Sequence, residues 1–94
     1  MAVFIIQLVQ AIHLWEFAPD EGETWEIPNQ GQKGRLKIFN QQRQLVYEQV
    51  IEFSGKYSWD GRSNSGYILS MGLYQFILDF ENGEQVLGNV TIIR

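Results

Sequence analysis

The sequence has no cysteine, one histidine and fewer basic than acidic residues. The absence of cysteine excludes disulfides, thiolate nucleophiles and cysteine-ligated zinc or iron–sulfur sites from this chain. His13 is expected to pack or face solvent, because one histidine makes a transition-metal site only with several carboxylates around it. The formal charge of −4, from 7 Lys and Arg against 11 Asp and Glu, argues against a phosphate-binding surface. We therefore expect no metal, no cofactor and no nucleic-acid partner.

Long hydrophobic runs are also scarce. The most apolar stretch, residues 2–17, is interrupted by Gln7, Gln10, His13 and Glu16. It is shorter than the roughly 20 residues that a membrane-spanning helix needs, and it lacks the basic start of a signal peptide. Neither a membrane span nor a cleaved leader is predicted from it.

Two interpretations of this N-terminal run remain open. Phe4, Leu8, Ala11 and Trp15 share one helical face, whereas the β-formers of residues 3–6 favour a strand. We prefer the strand, because the rest of the chain reads as β. Its residues 3–9 are a candidate for edge pairing with a preceding domain or with another copy. A chain that starts inside an apolar run is also expected to be cut from a longer protein.

Alternating residues and turn signals dominate the remaining sequence. Tyr74, Phe76, Leu78 and Phe80 alternate with mostly polar residues, and this period of two is typical of a strand with one buried face. Short strands with turns about every ten residues indicate one all-β domain, residues 1–94, folded as a sandwich or barrel of about seven strands. Beyond the N-terminal run they are predicted at 24–27, 35–40, 44–53 with a break near Gln49, 57–59, 67–70, 73–81 and 84–94.

The last hairpin allows a prediction of register. Asn82 and Gly83 predict a two-residue turn, which places Leu78 beside Leu87. Continued regularly, that register turns Val90 and Ile92 to the polar face. One extra residue at or next to Gly88 would place Val90 beside Phe76 and Ile92 beside Tyr74, so we predict a β-bulge there.

Several short pieces, taken in order, resemble the gliding-motility-associated C-terminal domain of Bacteroidetes surface proteins. They are Pro19, TWEIPN at 24–29, LKIFN at 36–40, QLVYE at 44–48, WDG at 59–61, GLY at 72–74 and GNVTIIR at 88–94. The similarity runs from about Phe17 to Arg94. The Ig-like module of flagellar hook-capping proteins shares the Trp-Asp-Gly and Gly-x-Tyr features. The residues that carry the motif are Trp59, Asp60, Gly61, Gly72, Tyr74 and Gly88.

The resemblance implies an immunoglobulin-like antiparallel β-sandwich at the C-terminus of a large secreted protein. It implies recognition by type IX secretion machinery, display on the outer surface of a Gram-negative bacterium, and no enzymatic activity. Two segments depart from the family pattern. The chain has Asp20-Glu21-Gly22-Glu23 where relatives usually have a longer Asn-Gly-Asp-Gly-x-Asn-Asp, and Gln41-Gln42-Arg43 where they usually have Arg-Trp-Gly.

Those departures keep open a second function, a structural or assembly module of a surface appendage or virion. A third hypothesis, independent of the departures, is a carbohydrate-binding module that uses exposed aromatic rings. Self-association through an edge strand is compatible with each. An enzyme is not expected, because no set of nucleophile, base and orienting group can be assembled.

Three of the motif residues also have a structural interpretation. Trp59 is expected in the core, with Trp15 and Trp25 buried or half-buried. Asp60 is expected to accept backbone N–H bonds in an Asx-type turn, and the Tyr74 hydroxyl to bond to nearby backbone as in a tyrosine corner.

Two groups of carboxylates remain. Asp20, Glu21 and Glu23 could ligate calcium, but they lack the ligand spacing of a dedicated loop, so a solvated turn is the preferred interpretation. A second group flanks the hairpin turn and is expected to be a solvated tip rather than a pair of glycosidase carboxylates: Asp79, Glu81 and Glu84.

Overall fold

The computed structural model describes residues 13–52 and 55–94, and within these ranges the chain forms seven strands and no α-helix. The elements are β1 (His13–Phe17), a 3-10 turn (Pro19–Glu21), β2 (Trp25–Glu26), β3 (Gly34–Phe39), β4 (Leu45–Ile51), β5 (Ser58–Trp59), β6 (Gly72–Phe80) and β7 (Gln85–Ile92). The predicted all-β class is confirmed. The N-terminal strand is confirmed for His13–Phe17, and the predictions for residues 3–9 lie outside the described residues.

The described strands form two sheets. The larger sheet has the order β1-β7-β6-β3-β4, and the smaller sheet pairs β2 with β5. Pairing is antiparallel except between β1 and β7, which run parallel. Trp25 of the smaller sheet packs on Phe76 of the larger sheet with ring centroids 4.8 Å apart. The two layers therefore enclose one core, as in the predicted immunoglobulin-like sandwich.

Alternation along the strands supplies that core. Leu36 and Ile38 of β3 are fully buried, and β6 buries every second side chain from Tyr74 to Phe80. Rings join the layers at the centre, where Trp15 lies 5.7 Å from both Trp25 and Phe76. Tilted aromatic pairs at such distances stabilise a core beyond their buried area, by about 0.5–1.5 kcal/mol each.

The predicted β-bulge at Gly88 is wrong. The ladder is regular there, with Phe76 opposite Gly88 and Tyr74 opposite Val90. The extra residue lies in the turn instead. Gly83, at φ +93°, donates its N–H to the Phe80 carbonyl, and Phe80 donates to the Glu84 carbonyl. A three-residue loop ending in a left-handed glycine thus replaces the predicted two-residue turn.

With this turn, Val90 and Ile92 are still on the buried face, as predicted. Both side chains are fully buried. Their partners differ from the prediction, because Leu87 lies opposite Ile77 rather than beside Leu78. A one-residue shift taken up at the start of the strand has the same effect on side-chain orientation as a bulge within it.

Two smaller details also differ from the sequence prediction. The irregularity in β4 lies near Val46, where the pairing steps from Ile38–Tyr47 to Phe39–Leu45, and not near Gln49. Residues 67–70 contribute a single bridge, between Arg62 and Ile68, and otherwise belong to a loop.

Candidate functional site

The Trp-Asp-Gly motif forms a turn at one end of the sandwich. Trp59 ends β5, is 1% exposed, and donates its indole N–H to the Arg62 carbonyl at 2.9 Å. The Asp60 carboxylate accepts the Arg62 N–H at 3.2 Å. The predicted core tryptophan and the predicted Asx-type turn are both confirmed.

Gly61 joins this turn to three other elements. Its φ of +83° favours glycine, and there is little room for a side chain. A Cβ at this position would lie 3.2 Å from Pro19, 3.4 Å from Ile92 and 3.5 Å from Phe17. Backbone conformation and space together therefore favour glycine where the turn meets β1, the 3-10 turn and β7.

Tyr74 packs against the same turn. Its ring lies 5.9 Å from the Trp59 ring, and its hydroxyl donates to the Ser70 carbonyl at 2.8 Å. The predicted bond to nearby backbone is confirmed. Gly72 lies two residues before it, opposite Ile92 at the end of β7. Gly88 is separate from this group, since it lies opposite Phe76 in the middle of the ladder.

Arg94 was not singled out from the sequence, yet it ties this end together. Its Nε and Nη2 donate to the Leu69 carbonyl at 3.2 and 2.8 Å, and its Nη1 pairs with the Asp20 carboxylate. The side chain is 19% exposed. Its partners are 25 and 74 residues away in sequence, so no local pattern marks them.

The segment 62–71, which we call the displayed loop, carries large apolar side chains into solvent. Tyr67, Ile68 and Met71 are 74%, 63% and 61% exposed. The backbone beneath them is ordered, because Ser63 donates its N–H to the Tyr67 carbonyl and accepts the Tyr67 N–H on its hydroxyl. Exposed apolar side chains grouped on an ordered loop are typical of a protein-contact surface.

We use the term motif end for the Trp59–Arg62 turn, the 3-10 turn, the displayed loop and Arg94. A cleft of about 240 Å³ opens here between carboxylates and guanidinium groups. Asp20 is paired with Arg94, and the Glu23 carboxylate accepts the Ala18 N–H at 2.8 Å. Within residues 13–52 and 55–94, no three His, Asp or Glu side chains gather as metal ligands would.

Tyr47 lines the inner side of the turn, with its ring 5.8 Å from that of Trp59. Burial raises the pKa of the Tyr47 phenol above its usual value, and the nearby Asp60 carboxylate raises it further. The phenol donates to the Gln49 side chain at 2.7 Å.

The carboxylates at the hairpin make local contacts. Asp79 accepts a bond from the Gln85 amide, and Glu84 accepts one from the Asn82 amide at 3.1 Å.

The part of the chain that the structure describes has no helix long and apolar enough to span a membrane.

Comparison with known proteins agrees with this architecture. The solved structure of PorZ, an essential bacterial surface component of the type IX secretion system of Porphyromonas gingivalis, is similar at a TM-score of 0.56 and 16% sequence identity. The match covers 79% of this chain but only 12% of PorZ, so it reports on the fold. No curated protein sequence gives a significant match.

The profile of the CHU_C type IX secretion signal domain matches residues 17–92. This range covers most of the chain and agrees with the similarity predicted between Phe17 and Arg94. The chain therefore belongs to the CHU_C type IX secretion signal domain family, whose members mark proteins for secretion to the cell surface of Gram-negative Bacteroidetes.

Proposed function

We propose that this chain is a non-catalytic sorting and anchoring domain carried by a larger secreted protein, and that the secretion machinery contacts its motif end. The observation that carries the proposal is the displayed loop. It holds Tyr67, Ile68 and Met71 outward on a backbone that Arg94, Ser63 and Tyr74 hold in place.

An ordered loop suits recognition, because a surface that is already rigid loses little conformational entropy on binding. Arg94 supplies part of that order. Its guanidinium bonds both to the Leu69 carbonyl, within the loop, and to the Asp20 carboxylate of the 3-10 turn, so it links two parts of the motif end that are far apart in sequence.

The same bonds support a non-catalytic role. The Trp59 indole N–H, the Tyr74 hydroxyl and the Asp60 carboxylate each bond to backbone within the domain. These motif residues therefore build the fold rather than present reactive groups. A platform of tryptophan rings for sugar binding is also disfavoured, because Trp25 and Trp59 are buried.

The two segments that depart from the family pattern both form closed turns. In the 3-10 turn, Gly22 donates its N–H to the Pro19 carbonyl at 3.0 Å. In the second segment, the Asn40 carboxamide oxygen accepts the N–H of both Gln42 and Gln44 at 2.9 Å. We propose that the export signal survives both departures. An assembly module of an appendage or virion is the alternative.

A secretion assay tests the proposal. Residues 1–94 are fused behind a leader and a fluorescent reporter in a Bacteroidetes host with an active type IX system. We expect the reporter at the cell surface. Retention in the periplasm would count against a sorting role and in favour of the assembly-module alternative.

Contact through the displayed loop is tested by a triple variant, Tyr67→Ser with Ile68→Ser and Met71→Ser. We expect a folded domain whose reporter stays in the periplasm. The matched control changes three exposed apolar residues elsewhere, Leu45, Val50 and Leu87, to serine, and should be exported. Normal export of the loop variant would show that the machinery binds another surface.

Two further protein partners belong to the proposal, namely a preceding domain of the same protein and another copy of this chain. An edge strand can recruit either by main-chain pairing. Residues 3–9 remain a candidate for that pairing, and they lie outside the described residues.

A further inference from the structure

Asn64, in the displayed loop, occupies the outer edge of β4. Its side-chain oxygen accepts the Glu48 N–H at 2.7 Å, and its side-chain nitrogen donates to the Glu48 carbonyl at 3.0 Å. Its own N–H donates to the Val46 carbonyl at 3.3 Å. Among the described strands, β4 ends the larger sheet on this side. One residue thus supplies the bonds that a neighbouring strand would make.

These bonds show which way the β4 backbone points. The N–H and carbonyl of Glu48 and the carbonyl of Val46 are directed away from β3, and by the alternation of an antiparallel ladder the N–H and carbonyl of Val50 are too. A side-chain amide has the same donor and acceptor as a peptide group, so Asn64 imitates one residue of an added strand. An edge without such cover is a template for pairing with another chain.

We propose that the edge of β4 is a strand-pairing surface for a second copy of the domain, and that Asn64 holds it closed. Two features favour a second copy. Two-fold antiparallel pairing centred on Glu48 joins the Glu48 N–H and carbonyl to those of the copy, and the Val50 N–H to the outward Val46 carbonyl of the copy. Val50 is also 48% exposed at this edge. The two Glu48 carboxylates oppose the pairing, and the bond of each to Arg35 of its own domain, at 2.7 Å, weakens their repulsion.

After Asn64, the Glu48 carboxylate is a second obstacle to pairing of two β4 edges. Like charges directly opposite each other across a strand pair destabilise it. Removing Asn64 alone should give a weak dimer, and removing the Glu48 charge as well should strengthen it. This inference goes beyond the sorting role and does not depend on it.

The first experiment compares Asn64→Ala with Ser65→Ala, an exposed neighbour in the same loop, by light scattering over a concentration series. We expect the Asn64 variant to rise from 10.9 kDa towards twice that mass, and the control to stay monomeric. Adding Glu48→Gln should lower the dimer dissociation constant by up to about fivefold.

Two further measurements complete the test: amide hydrogen exchange at Glu48, and a proline variant that blocks the edge of β4. Asn64→Ala should speed exchange of the Glu48 amide in dilute protein and slow it again as the dimer forms. Adding Val50→Pro should restore the monomer, because a proline whose nitrogen faces outward blocks an incoming strand without removing a bond to β3.

Two results would overturn the proposal. One is a folded Asn64→Ala domain that stays monomeric while its Glu48 amide exchanges faster. The other is a dimer that survives Val50→Pro. If Asn64→Ala does not fold, Asn64→Asp decides the matter by light scattering alone, since it keeps the acceptor for the Glu48 N–H and loses the donor to the Glu48 carbonyl. A folded Asn64→Asp domain that stays monomeric would overturn the proposal.

Discussion

Two turns in this domain share an Asx-Gly dipeptide but differ in how tightly the glycine is packed. Asp60-Gly61 and Asn82-Gly83 both place glycine in the left-handed region, at φ +83° and +93°. A Cβ on Gly61 would meet Pro19, Ile92 and Phe17, whereas a Cβ on Gly83 would have no atom within 4 Å. The first turn lies within the packed motif end, and the second is exposed to solvent, where Glu81 donates its N–H to the Lys33 carbonyl.

The difference shows that a turn motif is stabilised by the residues packed around it as well as by its own bonds. Asn82 closes its own turn, since its side-chain oxygen accepts the Glu84 N–H two residues away. Asp60 makes the equivalent bond to Arg62, but that turn is also held by the buried Trp59 indole. Substitutions at the motif end should therefore lower the free energy of unfolding more than matched substitutions elsewhere.

The largest effect is expected for Trp59→Ala. The variant leaves a cavity against Phe17, Tyr47 and Tyr74 and loses the indole bond, so unfolding should be easier by about 3–5 kcal/mol. Urea denaturation followed by circular dichroism measures it. Tyr67→Ala, at an exposed ring of the same end, is the control and should change little. Equal losses in the two variants would contradict the distinction between a buried motif and its displayed loop.

The next effect separates the two glycines. Gly83→Ala should lose about 1–2 kcal/mol from left-handed strain alone. Gly61→Ala has the same strain and must also displace the Pro19 ring, so its loss in the free energy of unfolding should be larger. Equal losses of unfolding free energy in the two variants would mean that the residues around Gly61 can move to accommodate a methyl group. Gly61 would then be needed only for its backbone angle.

Arg94→Ala should have a smaller effect. It removes two bonds to the Leu69 carbonyl and the pair with Asp20, for a loss of about 1–2 kcal/mol. Arg35→Ala, which removes an exposed pair with Glu48, should cost less than about 1 kcal/mol. Hydrogen exchange in residues 62–71 should rise more in the Arg94 variant than in the Arg35 variant. Unchanged exchange in the Arg94 variant would show that Arg94 does not fasten the displayed loop.

The smallest effect concerns pH. Burial, followed by the Asp60 carboxylate, raises the pKa of the Tyr47 phenol, so the folded state holds this proton more tightly than the unfolded state. That contribution to stability is fully present below the unfolded value of about 10 and is lost as pH rises through the folded value. Tyr47→Phe should make the fall in stability between about pH 9 and 11 less steep, as read from urea midpoints. Asp60→Asn should do the same to a lesser extent. An unchanged slope in Tyr47→Phe would contradict the raised pKa.

Much of the fold could be predicted, because it follows from local alternation. The predicted strand at 73–81 is found as Gly72–Phe80, and its predicted inward set is buried: Tyr74, Phe76, Leu78 and Phe80. The register of the last hairpin could not be predicted. Two-residue and three-residue loops both fit Asn82-Gly83, and the choice depends on how β7 fits between β6 and β1.

The candidate site divides in the same way. Trp59, Asp60 and Tyr74 make the bonds that their types and neighbours suggested. Asn64 and Arg94 carried no signal, since the groups that they bind lie 16 to 74 residues away.

The amino-acid sequence by itself determined the β class, the buried face of β6 and the turn at Trp59–Arg62, because alternation and turn chemistry act over a few residues. It also determined the family, over residues 17–92. Only the tertiary structure decided that Arg94 fastens the displayed loop to the 3-10 turn and that Asn64 covers the edge of β4. Those bonds exist only once the sheets have packed, because packing alone brings such distant residues within hydrogen-bonding distance.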